Sequence, residues 1–517
     1  MRHTEAPARL DGAVLRAWVA RAVERLHVRR AELDELNVFP VADSDTGTNL
    51  YLTLRGGLES VGGEPADASP SAIGRALTRG TLVGARGNSG VIVSQYLGAL
   101  LAAFPDTGSV DGQTLVDGLR RAATAAYGAV AHPIEGTVLT VARAVGDGAG
   151  RVLERRRGAL DVLEGGIDAG YDALGRTTQQ LAALREAGVF DAGAWGLLLV
   201  LDALADAVAG PGRSSKRADR TPVVPRRRGR TIQVACESHD HSAGEFEVMY
   251  LVAGGEGDVA TVLQEALSAV GDSVAVVGST ELWQAHVHTD QPLEAVGAAE
   301  AAGVAATQIR VRHIANQSGV HGLRRPPLGL VTVTAAPGLV ADLARAGAVV
   351  VLVPGPVAGP ELERALDDTG ATTVLVLAAD DLLDESSREP AGDSPTVRVL
   401  DGLSEVQVVA GAATLASLDP DLGEELLAGQ VVSAVRAVRT ATVELNGVGL
   451  ARHAEVVEVA LSLLVPGASL MTVLTSSGTP ASVVDHLRAA VAGGPGDLEV
   501  VVLDSGLPGD RVVMGVE

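Results

Sequence analysis

The periodicity of apolar residues changes once along this chain, after residue 209, and this change predicts two kinds of architecture. Before it, apolar residues recur at the spacing of amphipathic helices, beginning with Leu15, Trp18 and Val19. No strand pattern interrupts these helices. Residues 1–209 are therefore predicted to form an all-helical domain with glycine-rich loops.

The rest of the chain is predicted to contain a linker and two further domains. Residues 210–230 are rich in proline and arginine, which is typical of a solvated linker or of a docking strip for an acidic partner or anionic lipid. After a first strand, TIQVACE, residues 231–322 follow the order β-α-β-β-α-β of a ferredoxin-like α+β domain. Residues 328–517 alternate apolar strands with helices, which predicts a C-terminal α/β domain on a parallel sheet. The segments SLMTVLTS and LEVVVLDSG are expected to continue that sheet.

Composition excludes several classes of protein. With 41 Lys and Arg against 64 Asp and Glu, the net charge of −23 argues against a protein that mainly binds nucleic acid. A single cysteine excludes an internal disulfide framework and fits a reducing compartment. The N-terminal sequence MRHTEAPARLDG shows no signal peptide, and no apolar run is long enough to span a membrane. The chain is expected to be soluble and cytoplasmic.

The segment NVFPVADSDTGTN, Asn37 to Asn49, carries the densest group of polar residues. Asp43 and Asp45 offer closely spaced carboxylates of the kind that hold Mg²⁺ beside substrate phosphates. An EF-hand would need a glutamate at the twelfth position from Asp43, where Leu54 stands. The alternative is an Asx turn that caps the following helix.

Three more polar loops precede predicted helices: GARGNSG at 84–90, EGT at 135–137 and DAG at 191–193. Glycine lets the backbone approach an anion, and a helix N-terminus presents free N–H groups to phosphate. The first loop is not a P-loop, because it lacks the GK[ST] ending. Together the four loops indicate one shared ligand in the helical domain.

The segments NVFPVADSDTGTN, GARGNSGVIVSQ, EGTVLTV and DAGAWGL together resemble the nucleotide-binding domain of the dihydroxyacetone kinase L-subunit (DhaL) superfamily, and within it the catalytic subunit of bacterial fatty acid kinase. The resemblance is strong over 1–209, moderate over 231–316 and weak beyond. It implies an up-and-down helical barrel that holds ATP through Mg²⁺ ions bound by Asp43 and Asp45.

The resemblance also assigns further site residues. It implies phosphate and nucleotide contacts from Thr46, Gly47, Thr48, Asn49, Gly87, Asn88, Ser89, Gly90, Gly136, Thr137, Asp191 and Gly193. Arg86 either stabilises the transferring charge as a catalytic residue or is a surface arginine. The sequence departs from the family at Ser44, where glycine is usual, and at DAGAWG, where DAGGQG is usual. Trp195 either stacks on adenine or packs the barrel.

The activity that the resemblance implies is transfer of the γ-phosphoryl group of ATP to a fatty acid held by a separate DegV-type acyl-binding protein. A carboxylate is already ionised near neutral pH, so the reaction needs no general base. Two alternatives stay open. One is a kinase for dihydroxyacetone or another small polyol, and the other is a nucleotide-binding scaffold or regulator without transfer activity. A homodimer is also left open.

His286 and His288 form an H-x-H pair whose side chains share one face of a predicted strand. With Cys236 on another strand they form a Zn²⁺ ligand set, and the alternative is ordinary packing. The family's middle domain carries a similar cysteine and H-x-H, which favours zinc and implies contact with the acyl substrate or partner. The C-terminal domain resembles the DegV-like domain that docks the acyl-binding protein. It lacks the family's Asn-Pro-Ser loop and terminal Gln-Pro, so its partner surface has diverged or it is only structural.

Overall fold

The computed structural model describes residues 10–105, 110–156, 158–210, 244–255, 258–279, 281–317, 327–388, 395–445, 450–491 and 498–517. The predicted linker from residue 211 onward, the predicted strand TIQVACE and Cys236 lie outside these ranges. The division of the chain into domains stays a prediction, and each region is described below by its elements.

The described part of the first 209 residues is helical, as the apolar periodicity predicts. Its helices are α1 Gly12–Glu35, α2 Thr46–Gly62, α3 Pro70–Gly84, α4 Gly87–Leu101, α5 Gly112–Gly128, α6 Val138–Leu153, α7 Ala159–Gln180, α8 Ala182–Ala187 and α9 Ala192–Ala209. Polar side chains begin several of them: Asp11, Asp111 and Asp191 each accept a hydrogen bond from a backbone N–H in the first helical turn.

Helix α9 lies at the centre of the helical region. Its side chains are almost all buried, and Trp18 on α1 donates a hydrogen bond to the Val200 carbonyl at 2.9 Å. Among the described helices, α9 alone is long and apolar enough to cross a membrane, but 83% of that stretch is buried inside the protein. This is the pattern of a central core helix.

The middle region comprises β1 Phe246–Ala253, α10 Val259–Ser268, β2 Asp272–Ser279, β3 Leu282–Thr289, α11 Pro292–Ala301, β4 Ala306–His313 and α12 Ile314–Gln317. Its strands lie in the order β2-β3-β1-β4, and each neighbouring pair is antiparallel. The chain order and the sheet order together confirm the predicted ferredoxin-like arrangement.

The C-terminal region begins as an α/β unit. Its elements are β5 Gly329–Thr334, α13 Val340–Arg345, β6 Ala348–Leu352, α14 Gly359–Asp368, β7 Thr373–Ala379, α15 Glu385–Arg388, β8 Thr396–Leu403, α16 Glu405–Ser417 and α17 Glu424–Ala437. Strands β6, β5, β7 and β8 lie in that order and are parallel, as predicted. The sheet does not stop at β6, because β6 pairs antiparallel with β4 through Ile309–Leu352 and Val311–Val350. One eight-stranded sheet therefore joins the middle and C-terminal regions.

The final elements are β9 Arg439–Glu444, α18 Leu450–Leu463, β10 Leu470–Thr475, α19 Ala481–Val491, β11 Glu499–Asp504 and β12 Arg511–Val516. They form a separate sheet in the order β11-β10-β12-β9. The expectation that SLMTVLTS and LEVVVLDSG continue the parallel sheet is therefore wrong. The physical reason is that β10 packs with α18 and α19 around a core of its own, and β12 pairs antiparallel between β10 and β9.

Candidate active site

The N-termini of four helices of the helical region meet at one place. A carbon placed on Gly193, in the first turn of α9, would lie 3.5 Å from Ser89 Oγ of α4 and 3.7 Å from Val138 Cβ of α6. Gly87, with φ of 54°, lies against the Asn49 side chain of α2. Because each helix N-terminus carries a partial positive charge and free N–H groups, their convergence forms a site suited to an anion.

A pocket of about 300 Å³ opens at this convergence. It is lined by Asn37, Pro40, Val41, Asp43, Asp45, Thr46, Asn49, Gly87, Asn88, Ser89, Glu247 and His288. The two aspartates and five of the residues expected to contact nucleotide are thus brought together. Asn37, Pro40, Val41 and Glu247 are lining residues that the sequence reasoning missed, although Asn37 opens the very motif that carries the aspartates.

The carboxylates of Asp43 and Asp45 repel each other in this pocket. Burial raises the pKa of Asp43 well above its ordinary value, and the charges of Asp45 and Glu247 raise it further. Burial and Glu247 also raise the pKa of Asp45, while the Arg312 guanidinium lowers it. Asn37 Nδ2 donates a hydrogen bond to Asp43 Oδ1. Such a concentration of negative charge favours a bound cation.

Ser44, between these aspartates, adopts a φ of 57°. This left-handed conformation is unfavourable for residues other than glycine, and it explains why the family usually has glycine at the position. The serine is accommodated, and both aspartates still line the pocket.

Other expected nucleotide contacts build the helix ends and do not line the pocket. Thr48 donates to Asp34 through its backbone N at 2.9 Å and its Oγ1 at 2.8 Å. Thr137 caps α6, and Asp191 caps α9 by accepting from Ala194 N at 2.7 Å. Gly47, Gly90, Gly136 and Gly193 are also absent from the lining. The roles of these residues toward a nucleotide stay predictions.

The structure places Arg86 away from the pocket, which corrects the expectation that it meets the transferring phosphoryl group. Its buried guanidinium forms an ion pair with Asp368 of α14 and donates to the Gly84 carbonyl at 2.8 Å. Neither is it a surface arginine, because its side chain is buried. The contact spans 282 positions of sequence, which no local motif reveals.

Trp195 is a packing residue. It is 1% exposed and lies edge-on to the Phe190 ring at a centroid distance of 5.6 Å. Of the two interpretations left open by the sequence, the structure supports packing of the barrel.

His286 and His288 lie on β3 and meet Glu247 of the neighbouring strand β1, which is directly opposite His288. The three buried groups each offer a ligand atom, and these atoms lie within 4.8 Å of one another. Within the described part of the chain, both ring nitrogens of His286 have no hydrogen-bond partner. Burial lowers the pKa of His286 to about 3, so its imidazole is neutral, as a metal ligand requires. Cys236, the expected third ligand, lies outside the described residues.

Glu247 links the histidine cluster to the aspartate pocket. Burial raises its pKa, but Arg312, His286 and His288 lower the pKa to about 2. Arg312 Nε donates to Glu247 Oε2 at 2.7 Å. Because Glu247 and His288 also line the pocket, the two sites inferred separately from sequence share one space. An acidic residue in the otherwise apolar strand FEVMYLVA was the sequence signal for Glu247.

Comparison with known proteins identifies the modules of the chain. The DAK2 domain matches residues 40–206, and the FakA-like middle domain of fatty acid kinases matches residues 243–320. Protein YloV of Bacillus subtilis (strain 168) is 28% identical over 455 residues, covering 84% of this chain and 81% of that protein. An uncharacterized protein of Staphylococcus haemolyticus is 30% identical over 298 residues, covering 56% of this chain and 52% of that protein.

Two solved structures share low global similarity with the chain. One is a DegV family protein from Thermus thermophilus, described as fatty acid binding, with 14% identity, a TM-score of 0.29 and coverage of 37% of this chain and 98% of that one. The other is the dihydroxyacetone kinase of C. freundii with AMP-PNP and Mg²⁺, with 20% identity, a TM-score of 0.30 and coverage of 40% and 36%. The family relationship rests on the two domain matches and not on these. The chain belongs with the proteins that join a DAK2 domain to a FakA-like middle domain.

Proposed function

We propose that this chain is an Mg²⁺- and ATP-dependent kinase that phosphorylates the carboxylate of a fatty acid held by a separate, DegV-type acyl-binding protein in the cytoplasm. The observation that carries the proposal is the pocket in which Asp43 and Asp45 stand beside the N-termini of α2 and α4. Carboxylates for a cation and helix ends for an anion are the two halves of a site for a metal-bound nucleotide.

The residues of the pocket fit Mg²⁺. Asp43 and Asp45 offer carboxylate oxygens, and the amides of Asn37 and Asn49 offer further hard oxygen ligands. Among the described residues, the buried Asn88 Oδ1 has no hydrogen-bond partner, so the pocket has an acceptor still to be satisfied. When bound, Mg²⁺ would neutralise charge on the nucleotide phosphates.

The protein's own residues would position the reactants. The first turn of α4, from Gly87 to Ser89, would hold phosphate oxygens through its backbone N–H groups. An oxygen of the acceptor carboxylate forms a bond to the γ-phosphorus, the bond from that phosphorus to the β–γ bridging oxygen breaks, and ADP leaves. Since the acceptor is already ionised, no residue has to remove a proton. Glu247 and His288 form the wall opposite α4 and limit access of water, which would otherwise compete as acceptor.

Zinc is a further part of the proposal. Glu247, His286 and His288 fit the ion as one carboxylate and two imidazole ligands, and the unpartnered nitrogens of His286 support this fit. Bound there, zinc would stabilise the packing of β1 against β3 beside the pocket. A contribution from Cys236 stays a prediction.

The test is to mix the full chain with Mg-ATP and a fatty-acid-loaded DegV-type protein and to trap acyl phosphate with hydroxylamine. The variant Asp43→Asn/Asp45→Asn removes the metal ligands. The matched control is Asp380→Asn/Asp381→Asn, which neutralises two exposed aspartates on a turn after β7. We expect hydroxamate from the wild type and the control, and none from the metal-site variant.

Two results would contradict the proposal. ATP binding without hydroxamate from the wild type would favour a scaffold. Phosphorylation of dihydroxyacetone, added alone in a parallel reaction, without hydroxamate in the first would favour a small-polyol kinase.

A further inference from the structure

A carboxylate of the C-terminal region is buried among arginines from the other two regions. Asp368, at the end of α14, is 2% exposed and forms an ion pair with Arg86. Its Oδ2 lies 3.2 Å from Arg310 Nη1, and its backbone carbonyl accepts from Arg312 Nη1 at 3.3 Å. Asp368 is therefore the point at which the helical region, strand β4 and α14 meet.

Asp368 is held in its ionised form. Burial raises its pKa, but the guanidinium groups of Arg310, Arg86 and Arg312 lower it by more, so its pKa lies below its ordinary value. A buried charge that loses its partner is costly, because the remaining ion is neither hydrated nor paired. The arrangement of the arginines around Asp368 consequently depends on its negative charge.

One of these arginines is part of the glycine loop. Arg86 directly precedes Gly87, and its backbone N donates to Thr53 Oγ1 at 3.1 Å. Its Nη1 bonds the Gly84 carbonyl, and its own carbonyl accepts from Gly90 N at 3.0 Å. The side chain and backbone of Arg86 thus fix both ends of the turn that aims the first N–H groups of α4 into the pocket.

A second arginine reaches the opposite wall. Arg312 of β4 bonds the Asp368 carbonyl and also holds the carboxylate of Glu247, which lines the pocket. Both walls of the pocket, the glycine loop and β1, are therefore fixed by contacts to the same residue. Asp368 itself is not among the lining residues.

We propose that Asp368 is a positioning residue for the nucleotide, acting through Arg86 on the glycine loop and through Arg312 on Glu247. The C-terminal region thereby sets the affinity of a pocket to which it contributes no lining residue. This inference rests on the proposed kinase function, since it concerns the same pocket. Its physical content is a coupling between α14 and the loop from Gly84 to Gly90.

The test compares two neighbouring aspartates of α14. Asp368→Asn removes the charge that holds Arg86. Asp367→Asn is the matched control, because Asp367 forms the neighbouring ion pair with Arg55 of α2, which does not touch the glycine loop. The dissociation constant of Mg-AMP-PNP is measured by calorimetry on the full chain. We expect affinity to fall about tenfold for Asp368→Asn and to stay within about twofold of wild type for Asp367→Asn.

A double-variant cycle tests whether Asp368 acts through Arg86. Arg86→Gln alone should weaken binding to a similar extent, and adding Asp368→Asn to it should cause little further loss. Asp368→Glu, which keeps the charge, should recover part of the affinity. A residue that only stabilises the fold would lower the melting temperature in all these variants without changing the dissociation constant.

Each result decides the matter. If the wild type binds Mg-AMP-PNP and Asp368→Asn binds it equally well, the positioning role is wrong while the proposed function stands. The positioning role is also wrong if the effects of Arg86→Gln and Asp368→Asn add in full. If the wild type does not bind Mg-AMP-PNP, the proposed function fails and the inference fails with it. Should Asp368→Asn not fold, Asp368→Glu and Arg86→Lys, which retain both charges, are measured by the same criterion.

Discussion

Replacing Asp191 by asparagine should stabilise the protein near neutral pH, and the gain should depend on pH. Asp191 begins α9 and is buried, with its Oδ1 accepting a hydrogen bond from Ala194 N at 2.7 Å. Burial raises its pKa from 3.8 to about 6, although the backbone N–H groups of Ala194 and Val138 lower it. Asparagine caps helices as well as aspartate does, so the substitution removes the buried charge and keeps the cap.

The magnitude follows from the two pKa values. The folded chain holds the Asp191 proton more tightly than the unfolded chain, so this group stabilises the fold most at low pH. That contribution is lost as the pH rises from about 4 to about 6. Above pH 6 the ionised side chain costs about 3 kcal/mol, since one pKa unit corresponds to about 1.4 kcal/mol. The Asp191→Asn variant should therefore gain about 3 kcal/mol at pH 8 and about half of that at pH 5.

Urea unfolding followed by tryptophan fluorescence measures this difference, because Trp18 and Trp195 are both buried in the helical region. Asp111→Asn is the matched control, an exposed cap of α5 whose pKa is lowered by hydrogen bonds from Thr114. There the substitution should lose stability, and more at pH 8 than at pH 5. An Asp191→Asn effect of the same size at both pH values, or a loss at pH 8, would refute the reasoning.

Three further substitutions test other parts of the structure. Ser44→Gly should raise the unfolding free energy by about 1 kcal/mol by relieving the positive φ, and an unchanged melting temperature would show that the turn is not strained. Trp195→Ala should cost about 3–5 kcal/mol in urea unfolding yet leave the Mg-AMP-PNP dissociation constant within about twofold, whereas selective loss of affinity would indicate adenine stacking. Glu247→Gln should lower the zinc content measured by mass spectrometry from about one ion per chain, while Glu245→Gln should not. Equal zinc in both variants would contradict the proposed ligand set.

The fold was predictable where the pattern is local. Helical periodicity identified the helical region, and the order of strands and helices identified the ferredoxin-like unit. The pairing of β4 with β6 was not predictable, because both strands are apolar and nothing in either sequence specifies its neighbour in the sheet. For the same reason the last strands were wrongly joined to the parallel sheet. Their sequences resemble β5 and β7, and only their packing with α18 and α19 separates them.

The site shows the same division. Asp43, Asp45 and the glycine loop are found from contiguous motifs with a chemical reason. Glu247 enters the pocket from another region, and its single carboxylate in an apolar strand carries no spacing rule. Arg86 was misjudged because its partner Asp368 lies far away in sequence and because a loop arginine is an obvious phosphate ligand by chemistry alone.

The hydrogen bonds between β4 and β6 also bear on how such proteins diversify. A segment that ends in a closed sheet can be exchanged between genes as a cassette. Here, a recombination point between β4 and β5 would leave the backbone of β4 from Ile309 to Val311 as an open edge, ready to pair with another chain. Gene rearrangement should therefore transmit these two regions as one heritable block, while the helical region, which shares no sheet with them, is free to recombine separately.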